Sequence, residues 1–260
     1  MYSFIMEKGI FVKEFYIGRY IYLVNELRKL PRVSFVRLGK YNGVSFYTDD
    51  GKKRRITEKN REWEKYRSVA ERRRRLKDRL SKLMKDWESE YSGSLHELAK
   101  QYTLCPNSKN RYNSVFWESL GSCENECEVD RTFIYDGIVM KSQYETEVAA
   151  ILDELGIEYK YESRLDLGNQ GVVYPDMSCN FPEFNRCGFI EVLGAMDSFS
   201  YVQKNTKKFS KYSNSGIYIN RDIVFVPGDY YYRPDEELIR KMIAVLVDSF
   251  AKMYVIRKSY

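Results

Sequence analysis

With 260 residues, of which 43% are hydrophobic and 15% aromatic, the chain can build a sizeable core, and this composition excludes global disorder. No run approaches the eighteen or so apolar residues of a membrane span, and Glu7, Lys8, Lys13 and Glu14 interrupt the apolar stretch a signal peptide needs. The expectation is a soluble, cytoplasmic protein without a membrane partner. A single histidine, His96, excludes mechanisms built on two or more histidines.

The net charge of +6 is unevenly placed. Lysines and arginines number 8 against 5 acids in residues 1–50, 17 against 9 in 51–100, 3 against 6 in 101–140 and 15 against 17 in 141–260. A basic excess held in one segment points to a polyanionic partner. The five cysteines contain no CxxC pair. Cys105, Cys123 and Cys127 have a loose spacing for zinc and lack an evident fourth ligand, so reduced structural thiols are the simpler expectation.

Residues 1–56 read as a small helix and β-hairpin unit. A helical pattern over 17–30 stops at Pro31, and the runs 33–38 and 44–47 alternate around an Asn-Gly turn signal. From Thr57 to Tyr91 there is neither Pro nor Gly, and Trp63, Tyr66, Ala70, Leu76, Leu80, Leu83 and Trp87 follow helical spacing. The spacing predicts one amphipathic helix of about 50 Å, a coiled-coil-like arm over 57–104. Arg72, Arg73, Arg74 and Arg75 lie at its middle, as a phosphate-contacting rod or as a solvated face. Its narrow apolar stripe asks for a partner, supplied by the 94–102 segment or by a second copy in a homodimer. Residues 105–136 read as a connecting segment with a domain boundary between Gly121 and Gly137, and 137–260 as the domain that carries the chemistry.

In that domain Ser142 and Glu145 form a capping-box pattern at a helix start. A strictly alternating run follows over 157–167, then β-like runs Gly171–Ser178 and Cys187–Gly194, a helix over 198–213, a strand or strand pair over 217–226, and an amphipathic tail helix from Arg233. Asp176 and Glu191 lie in the two β-like runs, and neighbouring strands would bring both to one sheet edge. Two such carboxylates with waters suit Mg²⁺ or Mn²⁺. Glu191, flanked by Phe189, Ile190, Val192 and Leu193, is costly to bury unless paired or metal-bound. Tyr201, Lys208 and Tyr212 fall within about 20° of one helical line.

The ordered set Lys141-Ser-x-x-Glu145, Tyr161-Glu162, Tyr174-Pro-Asp176, Glu191-Val-Leu-Gly-Ala-Met-Asp197, Tyr201, Lys208, Tyr212 and Gly216-Ile217 resembles the PD-(D/E)XK nuclease superfamily over about a third of the chain. The resemblance implies an α/β (α+β) fold with a restriction-endonuclease-like core, a mixed sheet flanked by helices. It implies Asp176, Glu191 and the Val192 carbonyl as metal ligands, and Glu145 as an acid approaching the metal; helix capping explains Glu145 equally well. The sequence departs from the family where a lysine is expected two residues after Glu191, since Leu193 stands there. Lys208 replaces it from the following helix, unless it belongs to an ordinary basic face with Lys204, Lys207 and Lys211. The expected activity is metal-dependent endonucleolytic cleavage of DNA, duplex or single-stranded, with the arginine run, Lys204, Tyr201 and Tyr212 contacting nucleic acid. The alternative is a catalytically silent relative that binds nucleic acid or mediates assembly.

Overall fold

The computed structural model describes residues 11–48, 50–106, 109–125, 132–228 and 235–259. The chain is a mixed α/β protein that divides into two compact units, one mainly Tyr16–Thr103 and the other mainly Leu104–Ile256. Residues 16–48 and 50–56 of the expected hairpin unit and 57–103 of the expected arm are therefore parts of one body. Among the described residues no helix is long and apolar enough to cross a membrane.

Helix α1 (Lys13–Lys29) lies in the first unit from Tyr16 onward and is followed by an antiparallel meander of β1 (Ser34–Leu38), β2 (Tyr41–Tyr47) and β3 (Lys53–Thr57). Strand β3 was not among the predicted elements, and Thr57 ends it instead of opening the helical arm. Helix α2 (Trp63–Glu90) starts later, after a turn in which Asn60 Oδ1 accepts the Glu62 N–H at 2.9 Å. Its 28 residues span about 42 Å at 1.5 Å per residue. One stretch of its apolar stripe lies on the meander, where Val33, Val44, Phe46 and Ala70 form a buried cluster and the Phe46 and Tyr66 rings stack at 3.8 Å. Near its end Trp87 stacks on Tyr91 and meets Tyr16 of α1 edge-on. The stripe that asked for a partner thus lies in part on α1 and the sheet of its own unit, and the short helix α3 (Leu95–Ala99) buries Leu95 and Ala99.

Strand β4 (Tyr102–Leu104) leads into the second unit. The expected connecting segment 105–136 belongs to that unit: helix α4 (Ser114–Ser119) places Trp117 in a core with Tyr112, Leu120, Phe189 and Tyr212. A small hairpin, β5 (Phe133–Tyr135) and β6 (Ile138–Met140), precedes helix α5 (Gln143–Glu154), whose start carries the Ser142–Glu145 capping box. Cys105 and Cys123 are exposed and Cys179 and Cys187 buried, all four as free thiols; Cys127 lies outside the described residues, as do Arg233 and Pro234.

The main sheet has the order β12-β11-β10-β7, from β7 (Glu158–Tyr161), β10 (Met177–Phe181), β11 (Arg186–Leu193) and β12 (Ile223–Pro227). Strands β7, β10 and β11 run antiparallel in sequence, and β12 lies parallel to β11 after the crossover helix α6 (Phe199–Asn214). The alternating run 157–167 is not one strand. Glu162 takes a left-handed φ of 41°, so the chain turns, and β8 (Leu165–Asp166) pairs separately with β9 (Val172–Val173). Helix α7 (Glu236–Tyr254), capped by the Asp235 side chain, buries Ile239, Ile243, Leu246, Val247 and Phe250.

Candidate active site

The run expected as one strand through Asp176 is interrupted. Strand β9 ends at Val173, Tyr174-Pro-Asp lies outside the ladder, and β10 begins at Met177. Pro175 has no N–H to give a ladder, which accounts for the break. Asp176 is therefore held at the strand's mouth by specific bonds. Its Oδ2 accepts the Val192 N–H at 2.6 Å, and its carbonyl accepts the Glu162 N–H at 3.1 Å.

Glu191 lies in β11, every residue of which is buried, and is itself 2% exposed. Two side chains of α6 meet it. Lys208 Nζ donates to Glu191 Oε2 at 2.6 Å and to the Tyr174 carbonyl at 3.0 Å, and Tyr212 Oη donates to Glu191 Oε1. Tyr201 stands further toward the start of the helix, its Oη 3.4 Å from the Val192 carbonyl and accepting the Gly194 N–H at 3.3 Å. Leu193 is buried at 4% exposure and adds no charge.

Glu145 closes the third side. Its Oε2 accepts from the Lys141 N–H at 2.8 Å, the Ser142 N–H at 3.0 Å and Tyr161 Oη at 2.9 Å. It is thus the capping partner of Ser142, as its spacing allowed, and an acid electrostatically coupled to Asp176. Burial, then the Asp176 charge, pushes its pKa up to about 7. Burial and the Asp176 charge push Glu191 up to about 8 against the pull of Lys208 and Tyr212. Asp176 is raised mainly by its own burial, opposed by Lys208 and the Val192 N–H. Burial alone would lower Lys208, but the Glu191 and Asp176 charges outweigh it, and the ammonium form is favoured.

Among the described residues no group of three or more His, Cys, Asp and Glu is placed to hold a metal. The donor set present is two carboxylates, Asp176 and Glu191, and the Val192 carbonyl. These are hard oxygen donors of the number Mg²⁺ accepts when it keeps several waters, and a carboxylate oxygen already bonded to Lys208 retains a lone pair for a cation.

The residues expected to contact nucleic acid differ in exposure and in their partners. Tyr212 is fully buried and bonded to Glu191, so it orients the site and meets no ligand. Tyr201 is half-buried with its hydroxyl turned to the β11 backbone. Arg73 is half-buried: its Nη1 donates to the Leu27 and Leu30 carbonyls at 2.9 and 2.8 Å, closing the end of α1. Arg72 pairs with Glu26 at 2.9 Å, while Arg74, Arg75 and Lys204 are exposed.

An ion pair beside Asp176 escaped the sequence reading. Lys141 Nζ meets Glu162 at 2.7 Å, and Asn125 Nδ2 donates to the same carboxylate at 2.7 Å. Both residues stand in the motif, but only the turn at Glu162 brings them together. Comparison with known protein families, with curated proteins and with solved structures gives no match.

Proposed function

We propose that the chain is a metal-dependent nuclease that cleaves the phosphodiester backbone of DNA on a restriction-endonuclease-like core. The observation that carries the reading is the arrival of Lys208, from α6, at hydrogen-bond distance from Glu191, where Leu193 leaves no cation. The meander of three antiparallel strands, the crossover helix and the parallel fourth strand support it, since they are the element order the resemblance implies.

Asp176, Glu191 and the Val192 carbonyl would hold Mg²⁺ or Mn²⁺, which when bound neutralises phosphate charge and acidifies the attacking water. Lys208, kept protonated by its two carboxylate neighbours, acts as a fixed positive charge and hydrogen-bond donor, and it is too basic to serve as the proton acceptor. The Tyr174 carbonyl and Glu191 fix its position, and Tyr212 holds Glu191 in turn. Tyr201 braces the β11 backbone beside Val192.

The test is cleavage of supercoiled plasmid, linear duplex and single-stranded DNA in Mg²⁺, Mn²⁺ or EDTA by the wild type and by Asp176→Ala, Glu191→Ala and Lys208→Ala. Metal-dependent cutting that both carboxylate variants abolish is the expected result. A wild type that cuts no substrate under any condition yet binds DNA replaces this reading with the silent binding protein.

A further inference from the structure

The four consecutive arginines of α2 do not act as one rod. Arg73 closes α1 and Arg72 pairs with Glu26, but Arg74 turns to the sheet side, where its guanidinium lies 5.4 Å from the Phe35 ring centroid. There a cleft of about 470 Å³ opens between β1 and the first half of α2, lined by Phe35, Arg37, Asn42, Trp63, Arg67 and Arg74 among others. Three features mark it as a place for a ligand. No aspartate or glutamate lines it. Phe35 stays 39% exposed at its edge, an unusual position for a large apolar ring beside arginines. Its charge is also partly uncommitted: Arg67 is engaged by Glu64 at 2.8 Å and Glu71 at 3.0 Å, whereas among the described residues no carboxylate pairs with Arg37 or Arg74.

The strand register explains the arrangement. Phe35 and Arg37 lie two apart on β1, opposite Val44 and Asn42 of β2, and so share the face that also carries Val33 into the core under α2. Trp63, Arg67 and Arg74 recur at helical spacing on the facing side of α2. Beyond Asn42 the mixing of basic and aromatic groups continues, with Lys40 and Lys59 at 5.5 and 4.8 Å from the Tyr41 ring centroid.

We propose that this cleft binds a single-stranded stretch of nucleic acid, with an unstacked base on Phe35 and Trp63 and the flanking phosphates on Arg37 and Arg74. A duplex would offer the arginines its phosphates but no free base for the rings, whereas a single strand satisfies both at once. The Arg74–Phe35 contact favours the same ligand, because guanidinium and aromatic planes both stack on bases. The inference deepens the nuclease reading and rests on nucleic acid being the partner.

The experiment is fluorescence anisotropy of a labelled oligothymidylate of about 15 nucleotides, and of a duplex of equal length, with the full chain in EDTA over a range of salt. Arg37→Ala and Arg74→Ala each weaken binding of the single strand about tenfold and reduce the salt slope by about one. Phe35→Leu weakens it to a similar degree with the slope unchanged, and Lys85→Ala, on the same helix but outside the cleft, leaves it as in the wild type. Thermal melts of each variant check that the fold persists. The proposal is overturned if Lys85→Ala costs as much as Arg74→Ala, if Phe35→Leu has no effect, or if the duplex binds more tightly than the single strand. Because EDTA prevents metal-dependent cutting, the binding result stands apart from the nuclease reading: a chain that cuts DNA with a dispensable cleft refutes only the inference, and one that binds through the cleft but never cuts refutes only the enzyme.

Discussion

In the proposed nuclease Lys208 would link the acids of the site to a phosphate, since its ammonium is the one basic group bonded to Glu191 among the described residues. Replacing it with alanine is expected to lower kcat about 100–1000-fold, the usual effect of removing one preorganised donor to developing charge. Leu193→Lys in the Lys208→Ala background should restore about tenfold of this, because positions 191 and 193 share a face of β11. Cleavage by the single variant at the wild-type rate would transfer the role to another lysine. Glu145 divides into two functions in the same way. Glu145→Gln keeps an oxygen for the Lys141 and Ser142 N–H groups, whereas Glu145→Ala loses the cap at a cost of about 1 kcal/mol. If Glu145 only caps, Glu145→Gln cuts at the wild-type rate; if it works through the metal, activity falls while the melting temperature holds. The meeting of Glu191 and Lys208 was legible because α6 follows β11 directly and 201, 208 and 212 lie on one helical line. The burial of Tyr212 was not legible, since the same line predicts a nucleic-acid contact, and the Lys141–Glu162 pair depends on a left-handed turn that an alternating pattern conceals.

Elements were readable where apolar periodicity was strong, as in α2, α5, α6 and α7, and unreadable where charge masked it. Strand β3 reads Lys53-Arg-Arg-Ile-Thr, three charges in five residues, yet it pairs with β2 along its length. As the last strand of its meander it needs little apolar content, and charged side chains on an edge strand also discourage pairing with other chains. Recognising β3 moves the start of α2 to Trp63. Arg73, which breaks the apolar spacing of that helix, has its reason in α1, whose last turn leaves carbonyls without intrahelical partners. Arg73→Ala should destabilise the protein by about 1.5–3 kcal/mol, the range for hydrogen bonds to a charged donor. The exposed Arg74→Ala should leave the melting temperature nearly unchanged. Urea titration of both variants checks the contrast, and equal stability would mean that water serves the Leu27 and Leu30 carbonyls as well as the guanidinium does.

At the scale of the whole molecule, the charge counts separated a basic first unit from a net acidic second one, because charge is additive along the chain. The number of compact bodies was not so legible: the segment 105–136 joins the second unit through Trp117 and Tyr112, contacts that reach more than seventy residues ahead. Residues 11–15 join that unit as well, and the Val12 N–H donates to Asp248 of α7 at 3.0 Å. This long-range contact has a pH dependence with a definite sign. Burial raises the Asp248 carboxyl from 3.8 to about 6, against the smaller opposite effect of the Val12 hydrogen bond. Below about pH 4 the group is neutral in folded and unfolded chains alike, and its favourable contribution is complete. As pH rises the unfolded chain ionises first, so the contribution is lost progressively through about pH 6 and stays lost above it. Asp248→Asn keeps an acceptor for Val12, has a similar helix propensity and cannot ionise. It should melt with the wild type near pH 4 and about 2–4 °C above it at pH 8. A variant less stable than the wild type at pH 8 would mean that the ionised Asp248–Val12 bond outweighs the desolvation of the carboxylate, and the sign would reverse.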